Sequence, residues 1–224
     1  MRLSLVWIPG LLAIALCLCA QGQTTESKDA QVNEAKGETK GMPPRATPGD
    51  YQAHAEAGGV TIAAEFMGHS VPKPEGPLST EDYVVIETGL FGPTGARTTL
   101  SIEDFSLRIN GKKAALSSQP WVVVAKSLKD PEWSPPTPPE QKSKTSFGSG
   151  GQNDTGPPPP VHVPIELQRA MAQYIQKASL LEGDRALPQA GLIFFQYRGK
   201  TQSIRSIELI YAGPAGKATL ALQP

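Results

Sequence analysis

Apolar and polar positions alternate with a period of two along much of this chain, the spacing of strands with one face turned to a core. Val60, Ile62, Ala64 and Phe66 alternate with Thr61, Ala63, Glu65 and Met67. The pattern repeats over Tyr83 to Phe91, with Val84, Ile86, Thr88 and Leu90 on the core face, and Gly92-Pro93 ends it. Between Asp104 and Leu116 the pair Asn110-Gly111 tolerates the positive φ that a type I′ turn needs at both central positions. A two-residue turn there sets Leu107 opposite Ala114, Phe105 opposite Leu116, and Arg108 opposite Lys113 on a wet face. Trp121 to Ala125 reads as a continuously apolar strand. Strands over Gly191–Tyr197, Ile204–Tyr211 and Lys217–Leu222 complete a set of eight, the last two joined by a tight Gly213-Pro214-Ala215-Gly216 turn.

One segment has helical spacing instead. Behind Pro164, the residues Leu167, Met171, Tyr174, Ile175, Ala178 and Leu181 recur every three or four positions, which predicts an amphipathic helix over 164–182 stopped by Gly183. From Ser127 to Val163 no periodicity is present, and prolines accumulate at Pro131, Pro135, Pro136, Pro138, Pro139 and Pro157–Pro160. Residues 127–163 are therefore expected to form a mobile, proline-rich insertion. Short strands with turn signals between them and no βαβ alternation predict a mainly β fold, an antiparallel immunoglobulin-like β-sandwich with the one inserted helix capping an open end or edge. Residues 56–224 make up that domain.

Composition changes the picture at the N-terminus. Arg2, an apolar run from Leu3 to Leu18, and small residues at Ala20 and Gly22 have the order of a secretory signal peptide over residues 1–22, with cleavage after Gly22 or after Ala20. Either cut removes both cysteines, Cys17 and Cys19, so disulfides cannot staple what remains. Each cysteine follows a leucine, which disfavours a lipid anchor. The apolar run is also shorter than the ~20 residues of a membrane span. Residues 23–55 are rich in Gln, Thr, Glu, Ser, Lys, Gly and Pro and are expected to be a disordered tether. The 21 basic and 21 acidic residues of the whole chain nearly balance after cleavage, so no net field draws it to nucleic acid. The setting expected is the periplasm or the cell exterior.

Two runs, Asp82-Tyr83-Val84-Val85-Ile86-Glu87 and Ile102-Glu103-Asp104-Phe105-Ser106-Leu107-Arg108-Ile109-Asn110-Gly111-Lys112, are followed late in the chain by Leu187-Pro188-Gln189-Ala190-Gly191-Leu192-Ile193-Phe194-Phe195. Together they resemble exported bacterial immunoglobulin-like domains of the telokin-like type, over residues 82–116 and 187–222. The resemblance implies a β-sandwich in the cell envelope and brings no catalytic residues with it. The proline-rich insertion and the helix depart from that pattern.

Candidate chemistry is sparse. His54, His69 and His162 have no partner at metal-ligand spacing and are expected to be exposed polar residues, so no metal or cofactor is expected. Gly68-His69-Ser70 lacks the flanking glycine of a nucleophile elbow. Gly148, Gly150 and Gly151 lack the Lys-Ser/Thr of a phosphate loop. The carboxylate pairs Glu81-Asp82 and Glu103-Asp104 precede strands, where acids mark turns. Trp121 is expected in the core. Trp133, with Pro135 and Pro136, has no core pattern to explain it; it either folds back over the sandwich edge or meets a partner. The expected function is a non-enzymatic exported interaction module that presents loops and a proline-rich arm to an envelope protein or a polysaccharide. The alternatives are a carboxylate-dependent hydrolase or carbohydrate-active domain, and an accessory domain of an export or assembly system.

Overall fold

A computed structural model describes residues 41–134 and 163–224. The strands in its first half are β1 (Ala53–Ala57), β2 (Val60–Phe66), β3 (Ser70–Val71), β4 (Leu78–Thr80), β5 (Tyr83–Phe91), β6 (Arg97–Leu100), β7 (Phe105–Ile109) and β8 (Leu116–Gln119). A short helix α1 (Trp121–Ala125), strand β9 (Leu128–Lys129), helix α2 (Ile165–Ala178) and strands β10 (Gly183–Ala186), β11 (Gln189–Gln196), β12 (Ile207–Gly213) and β13 (Gly216–Leu222) follow. Eight strands form one antiparallel sheet in the order β1-β2-β5-β11-β8-β7-β12-β13; β6 pairs with β10, and β3, β4 and β9 make a small third sheet.

The main sheet curls until its edges meet, so its shape is close to a barrel. Gln52 Nε2, at the head of β1, donates to Gln223 O beyond β13 at 2.9 Å. A Cβ on Gly58 would lie 2.3 Å from Ala215 O, so this crossing of the two edge hairpins requires glycine. Inside the curl, Ile62, Ile86, Leu90, Phe105, Leu107, Ile193, Phe195, Leu209 and Tyr211 form one core. Period-two alternation places them there, as the pattern from Val60 and Val84 predicts.

A second core lies on the outer face. Tyr83, Val85, Leu192 and Phe194 pack there under α2 and α1, against Val71, Leu78 and Leu128 of the small sheet. Strand β5 is in consequence buried at every position but Phe91, which alternation alone does not reveal. Helix α2 supplies Met171, Ile175 and Ala178 to this core, as its stripe predicts. It ends at Ala178, four residues before the expected limit. Ser179 turns extended, its N–H and hydroxyl bonded to Ile175 O at 2.9 and 2.6 Å, and Leu180 drops into the inner core with its N–H on Leu192 O at 3.1 Å. That plunge fills the gap where β8 leaves β11, since the two pair only at Phe194–Gln119 and Phe195–Ser118.

Two local expectations change. Trp121–Ala125 is a helix: Pro120 can give no ladder donor and ends β8, and the turn that follows buries Val124 while exposing Val122 and Val123. Burial of one side chain under α2 overrides the β preference of three valines. The Asn110-Gly111 turn has positive φ at both residues, 54° and 64°, as expected. The return strand, however, pairs two residues later, with Leu107 opposite Leu116. Asn110 is the reason, because its side chain and N–H bind the Ser203–Ser206 segment rather than the hairpin. Arg108 accordingly faces Glu208 of β12, with the charges 2.6 Å apart.

Candidate functional site: an arginine latch and an exposed helical cap

Residues 41–55, assigned to the tether by composition, lie on the protein: β1 begins at Ala53, and 41–52 form a strap over the outer face of β2, β5 and β11. Residues 23–40 of that tether are outside the described residues. The strap holds Pro43, Pro44 and Pro48, which have no N–H to offer a sheet, so a side chain anchors it. Glu65 and Glu87 are directly opposite each other on β2 and β5. Two like charges at that spacing destabilise a bare sheet. Arg45 resolves the conflict. Its Nε and Nη2 donate to the two oxygens of Glu87 at 3.0 and 2.8 Å, and its Nη1 donates to Glu65 Oε2 and, at 2.7 Å, to Asp50 O.

The guanidinium also lies over the Tyr51 ring, 4.6 Å from its centre. Tyr51 in turn meets Phe91 edge-on and fills the place a Cβ on Gly89 would take. The bonds to Glu87 above all make Arg45 hold its proton more tightly; burial opposes this and the bond to Glu65 adds to it. Burial likewise raises the Tyr51 hydroxyl above its ordinary value. Chemically, Arg45 occupies the acceptor positions that the carboxylate pair would otherwise present to a ligand.

The residues singled out from sequence fall elsewhere and do not converge. Glu81 pairs with Lys129 at 2.6 Å and Asp82 with Arg198 at 3.0 Å, so that acidic pair is split between two cations. Asp104 is half-buried beside Tyr211, and burial raises its carboxyl above the usual value. His69 is no free surface residue: Nδ1 and Nε2 stand 2.8 and 2.9 Å from Tyr83 O and Gly199 O, with Tyr197 stacked alongside. His54 is exposed on β1, and His162 is outside the described residues. Trp133 is half-buried in the turn after β9, its N–H on Asp130 O at 3.2 Å; Pro135 and Pro136, like the rest of the insertion from 135 to 162, lie outside the described residues. Among the described residues no group of three or more His, Cys, Asp or Glu is placed to hold a metal ion, and no helix is long and apolar enough to cross a membrane.

The helical cap is the second feature. Val122 and Val123 on α1 are 50% and 42% exposed, and Ile165 in the first turn of α2 is 54% exposed. Among the described residues these are the large apolar side chains left open to solvent. Trp121, expected in the core, is half-buried and lines a cleft of about 80 Å³ with Ile102, Gln119, Leu180 and Glu182. A cleft of this volume falls well short of the roughly 300–1,000 Å³ of small-molecule sites and suits the tip of one side chain.

Sequence reasoning missed the latch. A Glu in the middle of the apolar run of β5 was its one visible sign, and its meaning depends on the pairing of β5 with β2. Compared with known proteins, the chain matches no family model, no curated protein and no solved structure.

Proposed function

We propose that this chain is a non-enzymatic, exported interaction module that binds a protein partner through its helical cap. The observation that carries the proposal is the grouping of Val122, Val123 and Ile165 on α1 and α2, beside the cleft at Trp121. Exposed large apolar side chains on two helices that pack together, next to a recess fit for a single anchor side chain, are what a protein interface uses. The division of the Glu81-Asp82 pair between Lys129 and Arg198, and the occupation of the Glu65/Glu87 pair by Arg45, support a binding reading over the carboxylate-dependent hydrolase. The Arg2-to-Gly22 leader supports export to the periplasm or beyond. The immunoglobulin-like reading enters as a statement about the scaffold: β5, β7 and β11, which hold the resemblance, belong to one antiparallel sheet whose curl faces its inner sides together as two packed layers would.

Photo-crosslinking in the producing cell tests this. A photoreactive residue at Val122 or Ile165 should yield a discrete crosslinked protein that the same residue at Thr219, exposed on β13, does not. Equal labelling at all three positions, or none at the cap, would reject the helical cap as the interface.

A further inference from the structure

The strap is built like a bound peptide. It runs through Met42-Pro43-Pro44-Arg45, and prolines there favour an extended, polyproline-like backbone that gives the sheet few main-chain donors. Its ties to the body are a single bridge from Met42 to Ala190 with Met42 against the outer core, the Tyr51 ring on Gly89 and Phe91, the Arg45 guanidinium in the Glu65/Glu87 pair, and the Gln52 side chain on Phe66 N and Gln223 O at its far end. Three guanidinium hydrogen bonds run from that arginine to the Glu65/Glu87 pair, while the fourth, to Asp50 O, and the Tyr51 face hold it in shape within the strap. Two of the bonds to the body go to Glu87, a residue 7% exposed in the middle of a strand whose other residues, Thr88 apart, are not polar. This shares two features with proline-rich peptide recognition: a proline segment with few main-chain donors, and one arginine anchored bidentately on a carboxylate, with the strap's own Tyr51 against Phe91 as a second contact. Here ligand and receptor are one chain, joined at Gln52.

We propose that the strap is an exchangeable, self-occupying ligand, and that its seat on β2 and β5 is a receptor for a proline-rich segment carrying one arginine, supplied by another chain when the strap is displaced. The seat is Glu65, Glu87, Gly89, Phe91 and Ala190. The proposal does not depend on the helical cap, which is formed by α1 and α2 over the other half of the same sheet face. An incoming segment competes with a tethered one, so the strap sets the threshold for binding.

The test uses the full chain and a fluorescently labelled peptide of residues 41–52, with a second peptide in which Arg45 is replaced by glutamine. Wild type should bind the arginine peptide at least ten times more weakly than the Arg45→Gln chain, whose own strap has lost its anchor. The glutamine peptide should bind neither. In the Arg45→Gln chain the amides of Met42 and of position 45 should exchange at least tenfold faster than in wild type. Gly89→Val puts a side chain where Tyr51 lies, so it should loosen the strap and also refuse the peptide. If Arg45→Gln does not fold, Arg45→Lys serves: it keeps the charge, loses the bidentate geometry and should bind the arginine peptide with an affinity between those of the other two chains. An Arg45→Gln chain that ignores the arginine peptide, binds both peptides alike, or protects its strap amides as wild type does would overturn the proposal.

Discussion

Replacing Arg45 by methionine keeps much of the side-chain volume and removes the charge, which leaves Glu87 almost fully buried and directly opposite Glu65. Facing residues of an antiparallel pair have Cβ atoms ~5 Å apart. At that distance and an effective dielectric of ~20, two carboxylates repel by roughly 3 kcal/mol. This is an upper bound, because the Glu65 side chain is 33% exposed and swings toward water to relieve it. Loss of the two Glu87 hydrogen bonds adds to the cost, while the partial exposure of Arg45 reduces it. We therefore expect Arg45→Met to lower unfolding free energy by about 2 kcal/mol, between the values typical of surface and of fully buried pairs. The second half of the cycle is the sharper test. In Arg45→Met/Glu87→Leu the buried charge is gone as well, and stability should return to within about 1 kcal/mol of wild type. Urea unfolding followed by tryptophan fluorescence measures all three chains, with the slope of each transition checked for a change in surface exposed. An Arg45→Met chain within 0.5 kcal/mol of wild type, or a double variant no more stable than the single one, would refute the claim that Arg45 holds the strap by neutralising this pair.

Two further predictions concern the scaffold. An ideal Cβ on Gly191 would lie 2.3 Å from both the N and the Cα of Leu180. Gly191→Ala must therefore move backbone, and should cost about 1 to 3 kcal/mol in urea unfolding and speed amide exchange at Leu180. Burial raises the Asp104 carboxyl above its ordinary 3.8, so the folded state binds that proton more tightly than the unfolded chain. The contribution of a raised group is complete below its unfolded value and is lost as pH rises through its folded value. Asp104→Asn should thus be more stable than wild type near pH 7 and lose that advantage near pH 3, in unfolding curves recorded at both.

The strand-bearing stretches of the described chain were legible as sequence because their physics is local. Alternation at period two depends only on which faces are wet, so β2, β5, β11, β12 and β13 fall where the pattern puts them. The same holds for the α2 stripe of Met171, Ile175 and Ala178, and for the two positive φ angles at Asn110-Gly111. What only the tertiary structure decided is what lies on the second face of each element. Strand β5 is buried on both sides because a helical cap covers one half of its outer face and the strap the other, and no spacing within β5 encodes either cover. Trp121–Ala125 has strand composition, yet Pro120 and the burial of Val124 make it a helix. Helix α2 stops at Ala178 because the inner core has room for Leu180, a vacancy created by the divergence of β8 from β11. The latch is the clearest case: Glu65 and Glu87 are 22 positions apart in sequence, and Arg45 sits in a segment with no apolar pattern. The three become one cluster only when β2 pairs with β5 in that register, and a buried carboxylate must then find a cation wherever the chain can bring one.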